Sequence, residues 1–533
     1  MTQLPANKSH YVGSKAVWPM VAGLLLLALL HVVGWVPRAP DTDPVNFLMS
    51  LEGYSIADDR PHPAGYPAFV GLANLAALLV GKARAFQLVN LVLLLLCTAG
   101  LYWGLKDGIG KTRAAAVTLL FASHPVVWAA TVIPECYISD GVMAVTLLNL
   151  GLFLGRQGPH MALTWAIFFV LSLFRAVSAA VLIPLLLCVV LVQAGPTGRW
   201  RTVVLTAGAA VAGIACGYLL TVHLGGGFET YAKAANRVMG NSFRGYSVLG
   251  GAPWRSHLAG IAACLVWFTV ILTAALVPMH LLSALMERRR PMLQWPEAKW
   301  AWITAAWLVP ILGFYLVIYY LKPTYHLIYL PAIMMVAVLT IKVRQERSIL
   351  MAAVVLAAAQ LALHFWGPAQ LPTPLYRLTQ TYFDDRTEVI NQLEADLKIA
   401  QAGRDDTLVA WSVSYDVLPM YTSRILAPRQ NILVSLRDDR VGLLQLWWNT
   451  WHGAPTQPTD DALLAQLTKT SCVIIVARPT SSRHPYNLLM LNPTQAERTP
   501  EILARLVKQR LEAPPTDPTK PPTSCGRSGR VGS

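Results

Sequence analysis

Acidic side chains that directly follow an apolar segment are the first residues in this sequence with the potential for chemistry. The segment after the first long apolar run reads PDTDPVNF, with Asp41 and Asp43 two positions apart and Phe47 close behind. A carboxylate held at the end of an apolar helix can act as a general base that takes a proton from a hydroxyl group. An aspartate in this place is also a common helix cap or turn former, so both interpretations stay open.

A second motif, PHPAGYP, runs from Pro61 to Pro67 and places one imidazole and one phenol among prolines. Prolines fix the backbone φ angle, so His62 and Tyr66 can be held ready for a substrate at little entropic cost. A stiff turn that leads into the next helix explains the same residues equally well.

Further ionisable residues fall at the boundaries of apolar runs. Glu135 and Asp140 lie between two such runs, and Arg175 separates LTWAIFFVLSLF from AVSAAVLIPLLL. Charges at a bilayer are costly and are therefore candidates for a functional site, and a guanidinium can hold a phosphate through two hydrogen bonds. Arg175 could instead extend its charged end to lipid head groups. The same surface is predicted to carry Lys82, Arg84, Lys322, Tyr325 and His326.

The elements that must position these residues are membrane helices, because 55% of the 533 residues are hydrophobic and only 13% are charged. A span needs roughly 20 apolar residues, since each backbone polar group must find its partner within the segment. The sequence predicts eleven spans, near residues 16–36, 86–105, 114–132, 139–155, 160–174, 177–194, 202–222, 257–279, 300–320, 327–341 and 348–366.

The apolar stretch 67–81 is left out of this count, because it is short and contains Gly71 and Asn74, which favours an interfacial or re-entrant helix. The resulting odd number agrees with the positive-inside rule. With a cytoplasmic N terminus, fifteen lysines and arginines fall in short inner loops and ten in longer outer segments of the membrane part. Residues 1–15 are therefore predicted to be cytoplasmic, and the C-terminal region lies on the outer face of an inner or plasma membrane.

Charge and composition exclude several other classes of protein. The net charge is +15, but residues 367–533 hold 18 basic against 16 acidic residues, so the excess indicates membrane topology and lipid contact, with no nucleic acid as a partner. Seven cysteines without paired spacing exclude a disulfide scaffold and a zinc ribbon. A GxxxxGK[ST] phosphate loop does not occur, and the predicted helices carry almost no charge that could line a pore.

The composition changes sharply after the last predicted span. A helical segment, TEVINQLEADLKIAQAG, is followed by the apolar runs TLVAWSV, NILVSL and SCVIIVA, which together predict a small outer α/β domain at 367–513. Residues 514–533 are rich in Pro, Ser, Thr and Gly and are predicted to be disordered. The chain is thus a polytopic α-helical membrane protein, whose transmembrane domain at 16–366 includes an outer loop at 37–85 with interfacial helices.

The order of these features resembles the GT-C glycosyltransferases, in particular the branch of the protein O-mannosyltransferases and the lipid A aminoarabinose transferase. In that branch the first outer loop carries an Asp-Glu pair shortly before an aromatic residue; here Asp43 and Phe47 match, and Pro44 replaces the Glu. The PHPAGYP run is similar to the family's His-Pro-Pro turn, with Ala64 in place of the second proline. Other positions that match are Glu135, Asp140 and the aromatic-proline stretch 322–331.

This resemblance covers residues 16 to about 366 and implies a GT-C-like fold and a glycosyltransferase that uses a polyprenyl-phosphate-linked sugar on the outer, periplasmic or extracellular, face. By the match Asp43 is the catalytic base, Asp41 can take part of the missing Glu's role, and the sugar carbon is inverted. The acceptor, a lipid, glycan or protein, stays open. A divalent metal is conceivable, although no spacing is diagnostic of one. The substrate-binding candidates are His62, Tyr66, Lys82, Arg84, Glu135, Asp140, Arg175, Lys322, Tyr325 and His326.

Two alternative functions stay open at the level of sequence. A transporter or flippase of lipid-linked intermediates would move its substrate without breaking a bond and is expected to show inverted repeats. A catalytically inactive assembly factor would bind partners through its outer domain. The transferase hypothesis makes a geometric prediction, which is that Asp43, Glu135 or Asp140, and Arg175 lie around one outward-facing site.

Overall fold

The computed structural model describes the helical part of the chain almost continuously and the C-terminal part through its strands. The predicted cytoplasmic segment 1–15 and the predicted disordered tail 514–533 lie outside the described residues. The described residues are 17–40, 42–58, 60–63, 65–195, 198–236, 247–288, 292–317, 323–401, 407–411, 431–435, 445–450, 453–456, 472–477 and 487–491.

The apolar runs form helices, which satisfy their own backbone polar groups as a bilayer requires. Seven of the described helices are long and apolar enough to cross a membrane, and α5 with α6 is an eighth if this bent pair is one span. The chain is therefore a multi-pass helical membrane protein. Its apolar helices are α1 (Val17–Val33), α3 (Pro67–Val80), α4 (Ala85–Ile109), α5 (Lys111–Ser123), α6 (Pro125–Thr131), α7 (Ile138–Gln157), α8 (Met161–Val181), α9 (Ile183–Gln193), α10 (Arg199–Leu224), α11 (Trp254–Met286), α12 (Ala298–Val317), α13 (Leu330–Leu339) and α14 (Glu346–Trp366).

The bend of 53° between α5 and α6 follows from the sequence His124-Pro125. A residue that precedes proline avoids the helical region, and His124 accordingly has an extended backbone with φ −65° and ψ 133°. The side chain of His124 accepts a hydrogen bond from the backbone N–H of Val126, which caps α6. The bend directs α6 toward the turn that carries the acidic residues of the next outer connection.

The first arm of α8 and the helix α10 run in the same direction. A Cβ atom built on Gly213 would lie 2.8 Å from Cβ of Phe168, and one on Gly217 would lie 2.9 Å from Cβ of Ser172. Residue numbers therefore increase together along the two helices. The two glycines allow this close contact, because any larger side chain would push the helices apart.

The helices α7 and α9 are also parallel, since Gly151 contacts Val189 and Gly155 contacts Gln193. Short turns reverse the chain between α7 and α8 and again between α9 and α10. The chain must then reverse between α8 and α9 as well. The reversal occurs around Arg175, whose φ of −166° and ψ of 95° interrupt α8. Arg175 therefore lies at the end of a helical hairpin, between the two apolar runs that the sequence predicts as separate spans.

The first outer loop folds into two helices that pack on the end of the bundle. They are α2 (Thr42–Ser50) and α3, with a 3₁₀ turn at Ile56–Asp58 between them. Phe47 of α2 is fully buried, and its ring contacts the rings of Phe69 on α3 and Phe86 on α4. The opposite side of α3 exposes Leu75, Leu78 and Leu79, as expected of a helix that lies against lipid.

The C-terminal region follows two further helices, α15 (Thr373–Tyr376) and α16 (Gln380–Gln401). Its strands are β1 (Thr407–Trp411), β2 (Asn431–Ser435), β3 (Gln445–Thr450), β4 (Gly453–Thr456), β5 (Cys472–Ala477) and β6 (Asn487–Leu491). They form one mixed sheet in the order β4-β3-β2-β1-β5-β6. The three apolar runs of the sequence become the central strands β1, β2 and β5, and β1 pairs in parallel with both neighbours. The segments that connect these parallel strands lie outside the described residues.

Candidate functional site

The carboxylate of Asp43 is positioned by the first turn of α2. The N-terminal end of a helix carries partial positive charge, which favours the ionised form of a carboxylate placed there. The Asp43 side chain is 28% exposed, and its Oδ1 lies 4.0 Å from Nδ1 of His62. Phe47, one turn further along α2, makes an edge-to-face ring contact with the imidazole of His62. Asp43 belongs to α2 and His62 packs against it, so this helix positions both side chains.

The PHPAGYP motif brings His62 and Tyr66 into contact, with Nε2 of His62 3.0 Å from the Tyr66 hydroxyl. Tyr66 is buried and has a left-handed backbone, with φ 49° and ψ 45°, which costs about 1–2 kcal/mol for a residue with a Cβ atom. The preceding Gly65 has φ +74°, and a Cβ there would lie 2.6 Å from the Tyr54 hydroxyl. Packing therefore holds Tyr66 in a strained conformation, as is typical of functional sites.

On the other side of the site, Arg175 and Asp140 form a largely enclosed ion pair, in which the carboxylate is fully buried and the Arg175 side chain is 16% exposed. Nη1 of Arg175 donates to Oδ2 of Asp140 at 2.5 Å, and Asp140 is fully buried in the first turn of α7. The guanidinium also lies over the rings of Tyr137 and Tyr325, 5.2 Å and 5.3 Å from their centroids. Burial of single charges is costly, so the ion pair and the aromatic faces are what make this arrangement stable.

The two tyrosines that flank Arg175 belong to an aromatic cluster. The Tyr137 and Tyr325 hydroxyls are 3.5 Å apart, and the ring of Tyr315 stacks on that of Tyr325 at 5.9 Å. The next residue, His326, is fully buried and shares a hydrogen bond with the hydroxyl of Tyr329. Burial lowers the pKa of His326 to about 3, so this imidazole is neutral. Tyr325 therefore lies beside the guanidinium of Arg175, whereas the described contacts of His326 are with Tyr329 and the ring of Trp267.

The thiol of Cys136 shows that the two halves of the site lie together. Its pKa is raised chiefly by burial, with the charge of Arg175 opposing the shift and those of Asp140, Glu135 and Asp43 adding to it. The phenol of Tyr66, whose pKa is raised first by burial, is likewise acted on by Cys136, Arg175 and Asp43. Asp43, Glu135, Asp140 and Arg175 thus lie near enough for their charges to act on one buried thiol. We call these four residues together with His62, Tyr66, Cys136, Tyr137 and Tyr325 the outer cluster.

The backbone near Glu135 is held by two amides of α4 that the sequence analysis does not single out. Nδ2 of Asn90 donates to the carbonyls of Ile133 and Glu135, both at 2.9 Å. Nε2 of Gln87 donates to the carbonyls of Val36 and Val132. Their sequence signal is the spacing in AFQLVNLVLLLL, which puts two amides three residues apart on one face of an apolar helix. Both are buried and orient the turn that carries the acids.

Two predicted phosphate contacts lie apart from this cluster. Lys82 and Arg84 occupy the 3₁₀ turn between α3 and α4, where Lys82 is exposed and Arg84 lies 5.7 Å from the ring of Trp35. Among the contacts that the structure describes, none joins either cation to Asp43 or Arg175. Asp41 and Lys322 lie outside the described residues. The described part of the chain also holds no group of three or more His, Cys, Asp or Glu side chains arranged for a metal ion.

Two solved structures are similar to this chain over most of its length. ArnT from Cupriavidus metallidurans in the apo state is 15% identical with a TM-score of 0.53, covering 90% of this chain and 99% of that chain. The structure of the same protein bound to undecaprenyl phosphate is 16% identical with a TM-score of 0.50, covering 88% and 94%. No family model and no curated protein sequence matches the chain. At such identities the similarity shows the fold alone, and the GT-C-like fold expected from the motifs is confirmed.

Proposed function

We propose that this protein is a GT-C-type glycosyltransferase that moves a hexose or pentose from a polyprenyl-phosphate-linked donor to an acceptor on the outer face of the membrane. The observation that carries the proposal is the convergence of Asp43, Glu135, Asp140 and Arg175 around Cys136. Four ionisable groups from three outer segments meet there, although their burial opposes folding. The GT-C fold, and the undecaprenyl phosphate bound to the similar ArnT, support a lipid-phosphate donor.

In the proposed reaction Asp43 is the base. Its carboxylate accepts the proton of an acceptor hydroxyl or amine, and the freed lone pair attacks the anomeric carbon of the sugar. The bond between that carbon and the phosphate oxygen breaks, which inverts the carbon and releases polyprenyl phosphate. The partial exposure of Asp43 supports this role, because an acceptor from the aqueous side can reach it.

Arg175 is the proposed ligand of the phosphate. A guanidinium has five N–H donors, so the single bond to Asp140 leaves others for the phosphate oxygens. A fixed cation stabilises the negative charge that grows on the leaving phosphate. Lys82 and Arg84 are proposed to act further along the donor, at the entrance beside α3. The remaining binding candidates are His62, Tyr66, Glu135, Asp140, Lys322, Tyr325 and His326, with Asp41 as a second acidic group.

The topology that fits this reaction has eleven crossings, a cytoplasmic N terminus and an outer C-terminal α/β domain at 367–513. The seven long helices supply seven crossings. The bent pair and the three helices α1, α9 and α13 supply the other four. The helical hairpin at Arg175 supports this count, because it requires α8 and α9 to cross separately. The partners are then membrane lipid, the lipid-linked donor and a lipid, glycan or protein acceptor, in an inner or plasma membrane.

The test combines lipid identification with a transfer assay. Mass spectrometry of lipids extracted from the purified protein is expected to detect a polyprenyl phosphate or its sugar ester. Proteoliposomes that contain this donor with a radiolabel on its sugar are then expected to transfer the labelled sugar to an acceptor extract, with cleavage of the bond between sugar and phosphate. Movement of intact donor between leaflets without cleavage would instead identify a flippase. If neither transfer nor movement is detected, the assembly-factor alternative remains.

A further inference from the structure

His62 is placed between two groups that can define which of its nitrogens carries the proton. Its Nδ1 faces Oδ1 of Asp43 at 4.0 Å, and its Nε2 lies 3.0 Å from the Tyr66 hydroxyl. The imidazole is largely enclosed, with a side-chain exposure of 16%, and is fixed by the ring of Phe47 at 5.7 Å. The contact at Nε2 is a hydrogen bond, whereas the contact at Nδ1 is an electrostatic one that is longer than a hydrogen bond.

The partner at Nε2 selects the tautomer. Burial raises the pKa of Tyr66 well above its usual value, so the phenol keeps its proton and can donate it. When the phenol donates to Nε2, a neutral imidazole carries its own hydrogen on Nδ1. That hydrogen then faces the carboxylate of Asp43. The strained left-handed backbone of Tyr66 is consistent with a phenol that must stand in one particular place.

We infer that His62 is a positioning residue for the base: its Nδ1–H orients the carboxylate of Asp43 toward the acceptor, and the Tyr66 hydroxyl holds His62 in that tautomer. This inference rests on the proposed function and makes it more specific. It moves His62 and Tyr66 from substrate contact to support of Asp43. The charged and titratable groups of other elements that interact electrostatically with Asp43 or Tyr66 are Cys136, Tyr137, Arg175 and Tyr325, and Glu135 acts in turn on Cys136 and Tyr137.

Two amide substitutions at position 62 separate the roles of the two ring nitrogens. The amide nitrogen of Asn stands near the place of Nδ1, so His62→Asn keeps a donor for Asp43 and loses the contact with Tyr66. The longer Gln places its amide near Nε2, so His62→Gln keeps the contact with Tyr66 and loses the donor. His160→Gln in the exposed inner turn is the matched control. Each variant is assayed with the donor that the wild-type protein uses.

We expect His62→Gln to lower kcat about 100-fold and His62→Asn at most about tenfold, with KM for the donor little changed in both. The acid side of the pH-rate profile should move to higher pH by about half a unit to one unit in His62→Gln, because a carboxylate without its donor holds a proton more readily. Tyr66→Phe, which is nearly isosteric, should lower kcat about three- to tenfold, since the imidazole can then take the other tautomer.

Equal losses in the two amide variants, or an effect on KM alone with an unmoved pH profile, would overturn the inference and return His62 to substrate contact. The same conclusion follows if Tyr66→Phe, which keeps the packing of the ring, has wild-type kcat and pH profile. A wild-type protein that transfers no sugar from any polyprenyl-phosphate donor is a different result. It refutes the proposed function itself, and the two failures are therefore distinguishable.

Discussion

The charged side chains of the outer cluster are largely enclosed at one end of the helical domain, here called the outer end, whereas at the opposite or inner end charged side chains are mostly exposed. Asp140 and Glu135 have 0% and 2% of their surface exposed, and Arg175 is enclosed by tyrosine rings. At the inner end Arg113 pairs with Glu346, whose side chain is 51% exposed. Arg156 is exposed as well.

The difference separates two uses of charge in one membrane protein. Exposed cations at the inner end keep their hydration, so they need no particular geometry. Within the outer cluster, Glu135, Asp140 and Arg175 have lost most of their contact with water, and such charges must be held by partners at defined distances. An arrangement that opposes folding in this way is expected where binding or catalysis depends on it.

The largest expected difference between the two ends concerns catalysis. Asp43→Asn should lower sugar transfer by about 10²–10⁴-fold, because the amide keeps the shape of the side chain and cannot accept the proton. Asp107→Asn makes the same change on an exposed residue near the inner end of α4 and should leave transfer unchanged. Initial rates in proteoliposomes measure both. Full activity of Asp43→Asn would eliminate this residue as the base.

The next difference concerns stability, and it compares the two ion pairs. Asp140→Asn leaves the Arg175 guanidinium buried without its counter-charge, which should cost about 3–5 kcal/mol. Glu346→Gln removes the charge that faces Arg113 from a carboxylate that is 51% exposed, where water can take its place, and should cost at most about 1 kcal/mol. Melting temperatures and denaturant titrations in detergent measure the loss of unfolding free energy in both variants. Similar values for the two variants would contradict the contrast between the two ends.

The sequence predicts those parts of this arrangement whose residues are close together along the chain. Asp43, His62 and Tyr66 lie in one short outer loop, so local motifs are sufficient to group them. The apolar runs predict the helices, and the break at Arg175 falls between two of these runs. These features depend on local patterns, which a single sequence contains.

Other features depend on contacts between distant segments and cannot be predicted in this way. Arg84 lies over the ring of Trp35, a contact between two separate segments that no local motif encodes. Gln87 and Asn90 support the acidic turn through hydrogen bonds to Val132 and Ile133, which lie 45 and 43 positions further along the chain. Only the folded chain reveals that Arg175 pairs with Asp140.

A smaller effect is expected from two glycines that share a backbone conformation but differ in surroundings. Gly65 at the outer end and Gly110 at the inner end have φ of +74° and +86°. A Cβ at Gly65 would meet Tyr54, Ile56 and Thr221 within 2.9 Å, and one at Gly110 would meet nothing within 4 Å. Gly110→Ala should therefore cost about 1 kcal/mol and Gly65→Ala about 2–3 kcal/mol, as measured by unfolding. Equal costs would show that the outer loop is not tightly packed there.

The smallest expected effect is a pH dependence that belongs to the outer end alone. Burial lowers the pKa of His326 from its ordinary 6.5 to about 3, so the folded chain binds this proton less readily than the unfolded chain. Stability contributed by His326 is complete above pH 6.5 and is lost as pH falls toward 3, by about 1 kcal/mol between pH 6.5 and 5.5. His326→Asn keeps a polar partner for Tyr329 and should remove this part of the slope.

The matched control is His160→Asn, since His160 is exposed in the turn between α7 and α8 at the inner end. Melting temperatures at pH 6.5 and 5.5 give the slope for the wild type and both variants. An unchanged slope in His326→Asn would show that His326 does not lose its proton on folding in this range. A slope reduced equally by His160→Asn would show that inner-end histidines are also withdrawn from water, and the contrast in burial between the two ends would then not extend to histidine.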